Sequence, residues 1–314
     1  MTKRICITGA AGNLGSITSS YFLEKTDYNL NLMTHKKPIS DKLKKNKRVT
    51  EFPCDLGNIK TLGKVFDNVD EIIHYAGVLF SANPEKFLPL TNTQFFRNLI
   101  EVAKQKKVKR IILISFPHVE GYSSSKHPAT ERQDRVPVSM HAKTRLEEEK
   151  ILIENFPCST ILRVGMVYGK GILMPDAAKW LSKRRLLGVW KEPTEIHLIS
   201  KDDFLESVVQ TSNNQKAYGI YNIGDEGVQT LQEYLDFACT QWGSPKPWRM
   251  PLWMIYLAAS VFELVSKIFG IKSPLTNDFI DIGRISYYGD TTRMKRDILP
   301  KLKYQTMEQG AEIF

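Results

Sequence analysis

Three glycines spaced three residues apart, Gly9, Gly12 and Gly15, close a short apolar run in the stretch ICITGAAGNLG, from Ile5 to Gly15. Glycine can turn the chain sharply, lets backbone approach a ligand with no Cβ in the way, and allows a helix to pack close on a strand. With a helix beginning near Asn13, the N–H groups of Asn13, Leu14 and Gly15 and the positive end of the helix dipole face the turn. That suits a phosphate or pyrophosphate. The spacing points to a dinucleotide site, although a glycine-rich turn with no ligand carries the same local signature.

Such a turn needs a strand before it, a helix after it and neighbours to complete the crevice. Ser16 to Glu24 reads as the first helix and Tyr28 to Met33 as the second strand. An acidic residue near this strand end accepts the ribose 2′-OH in NAD sites. Here Thr34, His35, Lys36 and Lys37 stand there instead. Lysines neutralise a 2′-phosphate that a carboxylate would repel, so His35, Lys36 and Lys37 predict NADP as cofactor, with NAD still open and plain surface lysines the alternative.

Val49 to Cys54 reads as a third strand leading into Asp55 and Leu56. Glu71 to His74 reads as a fourth, followed by Tyr75, Ala76 and Gly77, where small side chains let the chain pass close to a ligand. Thr91 to Lys107 is a helix with Phe95, Leu99, Ile100 and Val102 broadly on one face. Lys109 to Ser115 is a fifth strand, apolar enough to be buried on both sides. The alternation predicts an α/β fold, a Rossmann-type doubly wound parallel sheet. It would occupy residues 1–170 and regain a late strand near 218–224, with 171–217 and 225–314 forming a smaller, discontinuous substrate domain.

Composition narrows the class. The chain has 314 residues, 42% hydrophobic and 25% charged, which is ordinary for a soluble globular protein. Cys6, Cys54, Cys158 and Cys239 are scattered, and the six histidines show no ligand spacing, so neither disulfides nor a metal are expected. Lys3 and Arg4 run straight into the first strand and leave no secretory signal, so the expected setting is cytoplasmic. The net charge of +10 gathers in two runs, His35–Arg48 and Lys104–Arg110, which no aromatic interleaving accompanies. A solvated basic face rather than nucleic-acid binding follows. Pro251 to Gly270 is the most apolar stretch, but its unbroken run of about nine residues falls short of the ~20 that cross a bilayer. It reads as a core helix, or else as a greasy lid or membrane-surface patch aided by Arg249, Lys267 and Lys272.

The motifs together resemble the extended short-chain dehydrogenase/reductase superfamily, especially its NAD-dependent epimerase/dehydratase branch. TGAAGNLG is similar to that family's TGxxGxxG turn, CDLGN to its adenine-contacting Asp-Leu, and HYAG to its strand-four motif. Asn92 matches a structural Asn, LRVGMVYGKG resembles LRPxxVYGxG with Val164 in place of Pro, and KDDF (Lys201 to Phe204) and YNIG (Tyr221 to Gly224) match two later landmarks. The resemblance implies a Tyr and a Lys four apart on one helix facing the nicotinamide, with a Glu four further on.

In PVSMHAKTRLEEE, Pro137 to Glu149, Lys143 and Glu147 fit the Lys-then-Glu spacing, and Lys143 would hold the nicotinamide ribose. Ser139 stands where the tyrosine belongs. Pro117 occupies the place of the usual strand-five hydroxyl, with Ser115 two residues early. Tyr122 and Lys126 satisfy YxxxK literally but lie too close to Ser115, although Tyr122 could supply a proton from its loop. Tyr168 is a weaker candidate. The resemblance therefore implies an atypical NADPH-dependent oxidoreductase acting on a carbonyl or unsaturated group of a small, hydrophobic metabolite. The alternatives are a catalytically silent NADP(H)-binding partner protein and a sugar-nucleotide epimerase/dehydratase; a homodimer is compatible with each.

Overall fold

The computed structural model describes residues 2–77, 84–137, 139–269 and 275–314. Along the chain run β1 (Arg4–Thr8), α1 (Asn13–Lys25), β2 (Asn29–Thr34), α2 (Asp41–Lys44), β3 (Val49–Pro53), β4 (Glu71–His74), α3 (Pro84–Leu88), α4 (Phe95–Gln105), β5 (Arg110–Ser115), α5 (Met140–Asn155) and β6 (Thr160–Val164). The second half adds β7 (Met166–Tyr168), α6 (Leu173–Lys183), β8 (Gly188–Trp190), β9 (Glu195–Ile196), β10 (Leu198–Ser200), α7 (Lys201–Asn213), β11 (Gly219–Ile223), β12 (Gln229–Thr230) and α8 (Leu231–Gln241). β13 (Trp248–Met250), α9 (Leu252–Phe269), α10 (Asn277–Gly283) and α11 (Thr292–Asp297) complete it.

Seven strands form one parallel sheet in the order β11-β6-β5-β4-β1-β2-β3. Their near-continuous apolar runs follow from burial on both faces. Ile5 and Ile7 of β1 join Leu30, Leu32, Phe22 and Phe204 in one core. Cys6, between them, points the other way and packs with Ile72, Leu99 and Leu152. The late strand returns as expected: Gly219 to Ile223 pairs with Thr160 to Val164. A third cluster, built on Trp190, Tyr234, Ala238, Ile255 and Ile280, lies in the C-terminal part.

α1 begins at Asn13, where the glycine spacing puts it and three residues before the Ser16–Glu24 stretch, so the third glycine is already helical. One boundary differs from expectation. α4 begins at Phe95, because the four residues before it belong to a wider turn, Pro89–Gln94, in π-helical geometry. In the second basic run Lys104, Lys106, Lys107 and Lys109 are exposed, as a solvated face requires, and Arg110 is the exception. Arg110 is buried and bonds to the carbonyls of Thr211 and Asn214, while Lys106 and Lys109 pair with Asp67 and Asp70 at 2.6 and 2.8 Å.

Candidate active site

The glycine turn sits at the C-terminal edge of β1. Gly9 has φ +67°, and a Cβ built there would come 3.1 Å from the backbone N of Ala76; one built on Gly15 would lie 2.3 Å from the Gly9 carbonyl. The first glycine therefore makes the turn and the third allows the helix to approach it. α1 is capped by Gly12, with no side chain bonded to its first turn, which leaves donors directed at the turn for an anion. Asn13 spends its side chain elsewhere: its amide donates to the Gly171 carbonyl at 2.8 Å and accepts from the Leu173 N–H at 2.9 Å. A cleft of about 400 Å³ opens beside the turn, lined by Gly12, Asn13, Ser16, Lys170, Gly171 and Lys201. The shape and the two lysines fit a pyrophosphate.

On the β2 side, His35, Lys36 and Lys37 are exposed, and the imidazole of His35 lies 4.0 Å from the Asp55 carboxylate. Asp55 accepts from the Gly57 N–H at 2.8 Å, and the Leu56 carbonyl accepts from Asn98, so the two form a fixed ledge. Beyond β4 the Thr8 hydroxyl accepts from the N–H groups of Tyr75 and Ala76, both at 3.2 Å, and bonds the His74 ring at 2.9 Å. The Tyr75 phenol meets the Thr18 hydroxyl at 2.7 Å; burial raises its pKa, so it stays protonated.

The helix expected to carry the chemistry, α5, is turned differently from the sequence reading. Ser139 is its N-cap and accepts from the Ala142 N–H at 3.1 Å, which gives that hydroxyl a structural task. Lys143 and Glu147 are both exposed and line an outer groove with Thr93, Gln94, Met140 and Lys150. The inward face carries His141, Arg145 and Glu149, all buried and spaced four and four.

Two residues along an α-helix is about 200° of rotation, so this stripe and the expected Ser139–Lys143–Glu147 stripe lie on nearly opposite sides. Arg163 of β6 decides between them. Its guanidinium is fully buried, with Nη2 2.7 Å from Glu149 and Nη1 2.7 Å from Glu120. Glu149 also accepts from the Ser115 hydroxyl at 2.5 Å. Strands β5 and β6 thus hold α5 by Glu149.

Arg145 pairs with Glu148 at 2.6 Å and lies against Gly77. Burial, with the Arg145 charge in addition, pulls the His74 pKa down to about 3, so that ring is neutral. The His141 ring packs edge-on against Phe116, centroids 4.8 Å apart, and Phe116 stacks on His118 at 4.8 Å. Pro117 opens a short 3₁₀ turn, Pro117–Glu120, at the place where a hydroxyl was sought. Tyr122 is exposed on a loop pinned by the Ser123 N–H to the Ser286 carbonyl, and Tyr168 is buried and stacked on Phe314.

His141 and Arg145 escaped the sequence reading because neither is the residue type sought. The available signal was the run Glu147–Glu148–Glu149, any of which could end the pattern, and only Arg163 distinguishes among them.

A doubly wound sheet with a glycine turn at β1, a Thr8-bonded β4 end and a helix laid across β5 and β6 defines a dinucleotide-binding protein of the extended reductase and epimerase type. The chain belongs to the NAD dependent epimerase/dehydratase family, whose sequence profile matches residues 5–224. It is 26% identical over 192 residues to the uronate dehydrogenase of Pseudomonas syringae pv. tomato, a match spanning 60% of this chain and 64% of that enzyme. It is 28% identical over 275 residues to Protein CapI of Staphylococcus aureus, covering 74% and 81%. In fold it is similar to the dTDP-glucose 4,6-dehydratase DesIV of Streptomyces venezuelae, solved with NAD and TYD, with TM-score 0.77, 17% identity and coverage of 99% and 95%. A UDP-glucuronic acid 4-epimerase from Bacillus cereus, solved with its substrate and NAD, gives 0.74, 17%, 99% and 97%.

Proposed function

We propose that this chain is an NAD(P)-dependent enzyme that oxidises, reduces or epimerises a secondary alcohol centre on a sugar or nucleotide-linked sugar, with His141 and Arg145 standing in for the usual Tyr and Lys. The inward stripe His141–Arg145–Glu149 carries the reading. The substrate class rests on what the relatives are named for, uronate and nucleotide sugars, which speak for the epimerase/dehydratase side rather than for a hydrophobic metabolite. NADP is the proposed cofactor, from Lys36 and Lys37 at the end of β2.

A bound nicotinamide supplies or accepts hydride at the substrate carbon. The protein's part is to hold and to move a proton. A phenol, with a free pKa near ~10, needs an adjacent ammonium to act at neutral pH, whereas an imidazole near ~6.5 does not. Replacing Tyr by His therefore releases the neighbouring cation from proton tuning. Arg145, which stays charged, is suited to fixing ribose or substrate oxygens with its planar set of N–H donors. His141 is then the group that exchanges a proton with the substrate oxygen.

The second reading, binding without turnover, is favoured by the 2% exposure of His141 beneath Phe116. Incubating the protein with NAD or NADP and uronic acids, UDP-glucose or UDP-glucuronic acid tests both, with nicotinamide absorbance and proton NMR as readouts. Conversion that disappears in His141→Phe supports the first reading. Tight binding with no conversion supports the second, and no dinucleotide binding defeats both.

A further inference from the structure

Helix α9 is built the wrong way out for a helix that ends at solvent. Trp253, Leu257, Val261, Leu264 and Ile268 fall on one stripe, and Trp253, Leu257 and Ile268 are 65, 57 and 67% exposed. Three of its polar side chains, Tyr256, Ser260 and Glu263, bond residues of the α10 segment instead. Tyr256 bonds Asp281 and accepts from Arg284 at 3.2 Å, Ser260 accepts from the Asn277 amide at 3.4 Å, and Glu263 accepts from the Asn277 N–H at 2.9 Å. Among the described side chains of this helix, Ile255 and Ala259 are buried in the neighbouring core and Leu252 and Tyr256 pack partly buried against it. One side of α9 thus packs as a core helix does, and the opposite stripe stays exposed, as a surface patch would.

The surroundings of this face are cationic and aromatic. β13 leads into α9 and pairs with β8, and the Trp248 indole donates to the Arg185 carbonyl at 2.8 Å. The adjoining segment from Lys179 to Lys191 holds five cations and no carboxylate, and Lys183, Arg184, Arg185 and Leu186 are exposed. The Arg184 guanidinium lies over the exposed Trp180 ring at 3.9 Å. Lys267 is exposed on α9 itself, whereas Lys272 lies outside the described residues. No helix among the described residues is long and apolar enough to cross a membrane.

We infer that this face lies on the surface of an anionic phospholipid bilayer, with α9 in the interfacial plane and the Lys179–Lys191 segment against the headgroups. Exposed tryptophans beside lysine and arginine suit the boundary between acyl chains and headgroups, and the cations suit its negative charge. A second copy of the chain is a poorer occupant, because a self-complementary contact over the Lys179–Lys191 segment would bring cations together with no carboxylate to meet them.

The test is co-sedimentation of the full chain with vesicles of phosphatidylcholine alone or with about a third phosphatidylglycerol. Binding to the anionic vesicles is expected, weakened by salt and accompanied by quenching of tryptophan fluorescence by brominated lipid. The double variant Trp253→Glu and Leu257→Glu should bind about tenfold or more weakly, with unchanged melting temperature and dinucleotide binding. Lys183→Glu with Arg184→Glu should remove the preference for anionic lipid. Absence of binding to either vesicle overturns the inference. So does binding that the apolar double variant leaves intact, or a solution dimer that this variant converts to monomer without any vesicle binding.

Discussion

Arg145 on α5 meets Gly77 beyond the end of β4 so closely that a Cβ on the glycine would fall 2.3 Å from the guanidinium Nη2. The cation is held there by Glu148 at 2.6 Å, and the contact sets α5 against the chain beyond β4. Gly77→Ala must push the guanidinium aside. Misplacing a positioning group by about 1 Å costs on the order of 10²-fold in rate. Turnover of Gly77→Ala should fall by about that factor while the protein remains folded, as steady-state kinetics with circular dichroism will show.

The two faces of α5 make opposite demands on mutation. His141→Phe is expected to slow turnover by about 10²- to 10⁴-fold, the usual worth of a positioned proton-transfer group. Lys143→Ala, on the exposed face, should change it less than about twofold. Ser139→Ala should cost about 1 kcal/mol of stability through the lost cap and little activity. If Lys143→Ala proves the damaging change, the inward stripe is not the catalytic one.

Glu149 clamps α5 to β5 and β6 through Ser115 and Arg163. Removing one partner of a buried ion pair leaves the other charge short of compensation, at about 3–5 kcal/mol. Glu149→Gln retains the shape and one carboxylate, Glu120, still faces Arg163, so the lower part of that range is expected. Denaturant unfolding of the two proteins measures it.

The proposed preference for NADP rests on Lys36 and Lys37, which are exposed just beyond β2. Lys36→Glu with Lys37→Glu would place carboxylates where a 2′-phosphate must sit, so NADPH should bind about tenfold or more weakly with NADH little affected. Equal losses for both dinucleotides, by fluorescence titration, would remove these residues from the site.

Burial pushes the Asp225 carboxyl from 3.8 up to about 8; one oxygen accepts from the Gly227 N–H at 3.0 Å and the other has no partner among the described residues. The folded protein keeps a proton that the unfolded chain gives up. This contribution to stability is complete below pH 3.8 and is lost as the pH rises to about 8. Burial lowers His118 and His197 to about 4 and His74 to about 3, an effect of opposite sign that acts only below 6.5. Between pH 6.5 and 8 the stability should therefore decline by up to about 1.4 kcal/mol per pH unit. Asp225→Asn should flatten that slope in melts taken across the interval.

The glycine turn, the parallel sheet and the return of β11 were legible in the sequence because each rests on local chemistry. Positive φ at Gly9 demands glycine, strands buried on both faces demand unbroken apolar runs, and alternation with helices demands parallel crossovers. The face of α5 was not legible. A run of three glutamates allows three registers, and the choice falls to Arg163, a residue distant in sequence that can be buried only where a carboxylate meets it. The outward set of α9 has the same origin. Helical spacing groups side chains into stripes, but which stripe turns inward depends on the polar partners that α10 offers, and those are brought beside it only by the tertiary fold.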